Sequence, residues 1–296
     1  MSKYFSIFAA DFEIMMEKIS KSQVKLVKSL QLKKFRDELG LFVAEGEKCV
    51  SELSKRFELV HLYREGENAT RTEIEQMSGL RTPQGVIGVF RKSVSPEDGL
   101  SASQASGLLS VSPKDGLLLA LDGIQDPGNL GTIIRTCDWF GVHDIICSLD
   151  TADCFNPKVV QATMGALARV RVHYVNLPEW LEGIKHQESG IRIYGTLLEG
   201  KDMYEVLSAQ KSVSPKDDLT ATRSYSNAVL QQRGHEVIIM GNEGNGISPE
   251  VRPLVTHPIR IPSYPNKKTS NVIESLNVSI ATGIVLAEFR RPKTNS

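Results

Sequence analysis

The chain has 296 residues, 41% hydrophobic and 24% charged, which is enough to bury a sizeable core and to form two domains. Its 35 Lys and Arg balance 35 Asp and Glu, so no overall field attracts nucleic acid, and any RNA or DNA site has to be a local patch. Four cysteines without a CxxC pair exclude a disulfide framework, and the absence of an 18-residue apolar run excludes a helical membrane span. A reduced, cytoplasmic protein is expected. Asp11 and Glu13 inside the first apolar stretch argue against a signal peptide, and the six scattered histidines offer no metal site.

In chain order, residues 5–19 read as a short amphipathic helix. Between Lys18 and Arg36 lie seven basic residues and no acidic one. Lys18, Lys21, Lys25 and Lys28, spaced by three and four, form one stripe on a helix, either an RNA-phosphate track or a solvated face. "LFVAEG" and "PQGVIGVF" read as strands in a mixed segment that ends near Arg91. The octapeptides "SVSPEDGL" (93–100), "SVSPKDGL" (110–117) and "SVSPKDDL" (212–219) are turn-rich and unevenly spaced, so they read as surface insertions and not as a solenoid.

From Leu117 the pattern becomes strand, helix, strand. "LLLAL" is a continuous apolar run, as in a strand covered on both faces. After "DPGN", a stripe of Leu130, Ile133, Ile134, Cys137 and Phe140 predicts a helix closed by Gly141. Strands are predicted at "VHDIIC", 168–175, 191–198, 236–240 and 258–261, with a helix over about 276–291. This alternation implies a parallel α/β sheet.

"MGNEGNG" (240–246) has its glycines in the order G-x-x-G-x-G, which does not fit a dinucleotide fingerprint, and no Lys follows for a P-loop. A plain turn into a helix capped by Ser248, with Pro249 at its first position, remains open.

Taken together, "NLGTIIRTCDWFGV", "IIMGNEGNGIS" and "ESLNVSIATGIVLAE" resemble the three ordered motifs of the SpoU (TrmH) family of RNA 2′-O-ribose methyltransferases, in the SPOUT superfamily. "KSLQLKKFRDELGLFVAEGEK" with "TPQGVIGVF" resembles the N-terminal substrate-binding domain of many relatives, itself similar to a ribosomal protein that binds kinked RNA. The resemblance implies an N-terminal extension and RNA-binding domain over 1–92, an inserted linker over 93–116, and a SPOUT domain over 117–296 with a deep trefoil knot. It implies S-adenosylmethionine as cofactor, RNA as partner and a homodimer. Carried over by position, cofactor contacts fall on Thr196, Leu197, Gly241, Ile261 and Leu276. The catalytic positions are Asn129, Arg135, Glu243, Ser275 and Asn277, and RNA contacts fall on Lys33, Lys34 and Arg36.

In that reading Arg135 clamps a phosphate and polarises the ribose hydroxyl, because a guanidinium is too weakly acidic to act as a base. Asn129 is expected to orient Arg135, and Glu243 to brace the glycine loop or its neighbours. Ser275 and Asn277 are expected to hold the ribose or shape the cofactor loop, although such a pair also suits a helix N-cap. Gly283 within the last helix suggests close packing, across a dimer if not within the chain. Two departures stand out. The segment "SYPNKKTSNVIE" (263–274), with Lys267 and Lys268, enlarges the last loop, and Gln161 occupies a position where relatives commonly carry a positive residue. A non-catalytic RNA-binding protein that keeps the fold is the alternative.

Overall fold

The computed structural model describes residues 19–92, 116–187, 190–211, 236–264 and 275–291. The expected helix over 5–19, Lys18, two of the octapeptides, and Lys267 and Lys268 lie outside these residues; of 110–117 only Gly116 and Leu117 are described. The first elements are α1 (Lys21–Ser29), α2 (Lys33–Leu39), β1 (Leu41–Glu45), α3 (Glu47–Leu53), β2 (Leu59–Arg64), α4 (Arg71–Met77) and β3 (Val86–Arg91). Next come β4 (Leu117–Asp122), α5 (Pro127–Trp139), β5 (Asp144–Ser148), α6 (Pro157–Thr163), β6 (Arg171–Val175) and α7 (Leu177–Gln187). The remainder is β7 (Arg192–Asp202), α8 (Met203–Lys211), β8 (Glu236–Gly241), β9 (His257–Arg260) and α9 (Val278–Phe289).

The chain divides into two compact units. One is Met1–Gly99 with Asp153–Arg169, and the other is Leu100–Ala152 with Val170–Ser296. The first therefore includes α6, a segment that follows β5 in the chain.

The first unit holds an antiparallel sheet in the order β1-β3-β2. Alternation along its strands sends Val43, Ile87 and Val89 to one face, where they meet Val24, Val27 and Leu30 and, from α4, Ile74 and Met77. Phe42 and Phe90 lie on the other face and form an aromatic group with Phe57 and Phe155; the Phe42 and Phe155 ring centroids are 4.8 Å apart. Phe155 belongs to the segment that returns after β5, so this segment closes the second face of the sheet.

Arg36 is part of that closure. Only 1% exposed, it donates from Nη2 to Asp153 at 2.7 Å and from Nη1 to the carbonyls of Leu30 and Gln31 at 2.9 Å each. The expected RNA contact at Arg36 is thereby corrected, because its guanidinium is spent inside the unit, holding the corner between α1 and α2. Lys33 and Lys34 on the same helix are exposed.

The second unit is a parallel six-stranded sheet in the order β6-β5-β4-β8-β7-β9. Every residue of β4 and β5 is buried, which explains why these strands read as unbroken apolar runs. On one face Trp180, Leu181 and Ile184 of α7 pack against Leu118, Ala120, Ile146, Val237 and Ile239. Helices α5 and α9 pack on each other, and α9 reaches β8. Asp126 caps α5 by accepting from the Asn129 N–H at 2.8 Å, with Pro127 in the first turn, so the helix begins ahead of Leu130, the first residue of its apolar stripe.

At the N-terminal edge of β5 and β6, Asp144 is 5% exposed and accepts two bonds of 2.7 Å from Arg171, with His173 Nε2 at 2.9 Å. Burial alone would raise its carboxyl, but the Arg171 fork and His173 hold it well below the usual carboxylate range. A depressed acid stabilises the fold fully above the ordinary carboxylate pKa of about 4 and loses that contribution as pH falls below it. Asp144→Asn is therefore expected to cost about 2 kcal/mol at pH 7, a reduced figure because Arg171 is partly solvated. Urea unfolding of variant and wild type at pH 7 and pH 3 should show the gap narrowing at the lower pH; an equal gap at both would refute the assignment.

Candidate active site

Consecutive strands run outward from β4 in opposite directions, β5 and β6 to one side, β8, β7 and β9 to the other. The loops after β4 and β8 therefore diverge at the C-terminal edge of neighbouring strands, where open parallel sheets form a crevice. Asp122 and Gly241, the last residues of these strands, stand side by side in the ladder.

The loop after β8 folds back on itself. Asn242 and Gly246 exchange two backbone hydrogen bonds of 2.9 Å, which brings the Gly246 and Ile247 backbone against Gly241. A Cβ on Gly241 would lie 2.3 Å from the Gly246 carbonyl carbon and 2.4 Å from the Ile247 nitrogen, and Gly246 has φ of +70°. Two of the three glycines are thus required by the loop's own path. Gly244 differs, because a Cβ there would meet only Asn242 Oδ1, at 3.6 Å. The helix from Ser248 and Pro249, left open as the plain alternative, does not form. Ser248 instead opens a turn by accepting from the Val251 and Arg252 N–H groups, and a short 3₁₀ turn follows at Arg252–Leu254.

Asn242, which the sequence reading passed over, holds this loop. Its Nδ2 donates to the Gly123 carbonyl at 2.6 Å, and its Oδ1 accepts from the N–H groups of Gly244 and Asn245 at 2.9 and 3.0 Å. At the loop's far end the Ser248 N–H donates to buried Asp122 at 2.7 Å. The end of β4 thus anchors both ends of the glycine loop. No local pattern marks these residues, because Asn242 and Gly123 are 119 positions apart.

The three motif blocks meet through their side chains. Asn277 Nδ2 donates to Asn129 Oδ1 at 2.9 Å, and Asn129 Nδ2 donates to Glu243 Oε1 at 2.9 Å. Asn277 also caps α9, its Oδ1 accepting from the Ser279 and Ile280 N–H groups, so the capping and bridging roles coexist. The expectation that Asn129 orients Arg135 is corrected, since its amide is engaged by Asn277 and Glu243. Six residues along α5, Arg135 lies about 9 Å farther down the axis and about 120° around it. It is exposed and has no hydrogen-bond or ion-pair partner among the described residues. Asn242 braces the glycine loop from within, while Glu243 ties the loop to its neighbour α5 through Asn129. Ser275 is exposed and unbonded among the described residues.

Thr196, Leu197, Gly241 and Ile261 gather at the same edge of three adjacent strands. Thr196 Oγ1 donates to the Ile239 carbonyl at 3.1 Å, and Leu197 packs on the apolar cluster below. The β7–β9 ladder is interrupted between Thr196 and Lys201, so residues 197–200 bulge out at this edge. Ile261, half-buried, follows β9 directly, and Leu276, 50% exposed, precedes Asn277. Gly283 would meet only Thr136 Cγ2, at 3.8 Å, which leaves room for a methyl group within this chain.

A parallel sheet with a self-folded glycine loop at its switch point, cross-linked by Asn277, Asn129 and Glu243 at its C-terminal edge, defines an α/β protein of the kind that binds ligands at that edge. The chain belongs to the SpoU rRNA Methylase family, whose model matches residues 116–287, and a model described as an MRM3-like substrate binding domain matches residues 21–71. It is 27% identical to the 23S rRNA (guanosine(2553)-2′-O)-methyltransferase RlmP of Bacillus subtilis, covering 93% of this chain and 98% of that one. It is 32% identical to the 23S rRNA (guanosine-2′-O-)-methyltransferase RlmB of Pseudomonas aeruginosa over 71% of each. A crystal structure of an AdoMet-bound rRNA methyltransferase from Sinorhizobium meliloti matches with a TM-score of 0.69 and 28% identity, covering 93% of this chain and 96% of that one.

Proposed function

We propose that the protein is an S-adenosylmethionine-dependent 2′-O-ribose methyltransferase acting on structured RNA, with ribosomal RNA the favoured substrate. The observation that carries this reading is the Asn277–Asn129–Glu243 chain, which joins residues from the three separated motifs at the crevice. The crevice fits the cofactor. Glu243, Gly244 and Asn245 are exposed, Gly244 leaves its outer side bare, and Thr196, Leu197, Gly241 and Ile261 form a half-buried edge beside them. Backbone groups of this kind suit a flat heterocycle, and Leu276 completes the set of cofactor contacts.

The cofactor supplies an electrophilic methyl group on a sulfonium. The chain's part is to bind, orient and polarise. Arg135 pairs with an RNA phosphate and polarises the ribose hydroxyl, which an always-charged planar fork does better than a base would. Asn129 and Asn277 fix the Glu243 carboxylate, one oxygen of which has no partner among the described residues. Ser275, open to solvent, faces the ribose. In the first unit, Lys33 and Lys34 contact RNA. A non-catalytic binding protein would have no use for this polar chain.

The finer arrangement follows the same reading. Helix α9, which follows edge strand β9 in the chain, packs on α5 and β8 in the second unit, and this placement supports the knotted path. A homodimer is supported by Trp139 on α5 and Ile280 on α9, which are 85% and 57% exposed on two helices packed together. The test is transfer of labelled methyl from S-adenosylmethionine to ribosomal RNA. Label recovered in a dinucleotide that resists alkali indicates 2′-O-methylation, and label on a base alone would overturn the proposal.

A further inference from the structure

The chain as a whole is neutral, and six surface cations of the first unit are paired with acids. Arg64 meets Glu47, Arg71 meets Glu65 and Glu75, Arg91 meets Glu58, Lys92 meets Asp37, and Glu52 holds both Lys55 and Arg169. Lys33, Lys34, Lys48, Arg81 and Lys158 are exposed without an ion pair among the described residues, and helix α1 gathers three more such lysines on one face. Lys21, Lys25 and Lys28 are exposed, the helix contains no acidic residue, and none of the three has an ion-pair partner among the described residues.

Local helix physics disfavours that arrangement. Lysines three and four positions apart repel along one face. Lys21 stands in the first turn, where the helix dipole already carries positive charge and an acidic residue would be favourable. The helix nonetheless forms, because Ser20 and Gln23 make a complete capping box and Val24 and Val27 are buried beneath it. Its far end is fixed by Arg36, which holds the carbonyls of Leu30 and Gln31 at the corner leading to α2. The lysine face is therefore presented by a firmly seated helix. Seven residues of helical rise spread the three charges over about 10 Å, a span that reaches more than one phosphate of a nucleic-acid backbone.

We infer that the exposed face of α1 is a phosphate-binding surface for the substrate RNA, with Lys21, Lys25 and Lys28 contacting backbone away from the methylated nucleotide. The inference rests on the reading of the chain as an RNA-modifying enzyme and gives that RNA a docking surface on the first unit. Buried Arg36 acts in it as a positioning residue for the corner and touches no RNA. Contacts of this kind supply affinity and orientation without sequence preference, and they release counterions.

The test is a salt titration of full-length protein on an unmodified 23S rRNA transcript, comparing wild type with the K21Q/K25Q/K28Q variant. Each lost phosphate contact lowers the slope of log affinity against log salt by about 0.7–0.9, so the triple variant should lose about 2.1–2.7 from its slope. The KM for RNA should rise by tens of fold, while kcat at saturating RNA, cofactor affinity and thermal midpoint stay within error of wild type. A control variant, K55Q/R71Q, neutralises two paired cations of the same unit and should shift the slope by less than about 0.5. An unchanged slope in the triple variant overturns the inference, and so does an equal loss in the control. A triple variant that loses binding to phosphatidylserine vesicles but keeps its RNA slope would assign the surface to a membrane and overturn it as well. If wild type itself transfers no methyl to RNA, the proposed function fails, an outcome distinct from either slope result.

Discussion

Arg135→Ala is expected to lower the rate of methyl transfer about 10³-fold, the upper range for removing one preorganised charge from a transition state. Cofactor affinity should stay within a few fold, because the proposed cofactor contacts lie at the strand ends, in the glycine loop and at Leu276, not on the exposed face of α5. Stability should hardly change, since Arg135 has no partner among the described residues and alanine suits a helix. Arg135→Lys separates the two parts of the role. It keeps the charge but loses the bidentate fork, so an intermediate rate is expected. Single-turnover kinetics with saturating RNA and cofactor provide the measurement. Full activity in the alanine variant would remove Arg135 from the mechanism.

Gly241→Ala is expected to abolish cofactor binding within the reach of calorimetry, a loss of at least about 10²-fold, and to cost 2–3 kcal/mol in stability, by about the measure of a forced overpacking. The atoms a new Cβ would strike at 2.3–2.6 Å are backbone atoms of Gly246, which is paired to Asn242, and of Ile247, and they cannot swing aside as a side chain would. The loop would have to open, releasing Asn242 from Gly123 and withdrawing Glu243 from Asn129. Gly244→Ala is the informative contrast. Its methyl has room within the chain, so the thermal midpoint should hold, and any drop in cofactor affinity reports a ligand approaching that bare backbone. Wild-type cofactor affinity in Gly241→Ala would show that the loop is not part of the cofactor site.

Much of the second unit was legible because burial on both faces of a parallel sheet writes an unbroken apolar run. Leu117–Asp122 and Glu236–Gly241 follow that rule, and the stripe along α5 announces the helix between them. Strand β2 carries no such signal; in "LVHLYR" only Tyr63 is fully buried, so the pattern blurs. The closure of the first unit was illegible for a different reason. Arg36 looks like another member of a basic run until Asp153, 117 residues away, meets it across the fold. The family resemblance located Asn129, Glu243 and Asn277 without giving their hydrogen bonds. It led to a false pairing of Asn129 with Arg135, since a six-residue spacing on a helix turns the two side chains apart. Asn242 escaped notice because an asparagine between Gly and Glu reads locally as turn chemistry, and its anchoring partner comes from another strand.

Ribose-methylation mapping of ribosomal RNA, from cells with and without the gene, bears most directly on the claim that this crevice aims a methyl group at a sugar oxygen. The account predicts one position that resists alkaline cleavage in the presence of the protein, becomes cleavable without it, and regains protection with wild type but not with Arg135→Ala. Identical methylation profiles in both strains, for ribosomal and transfer RNA alike, would contradict it.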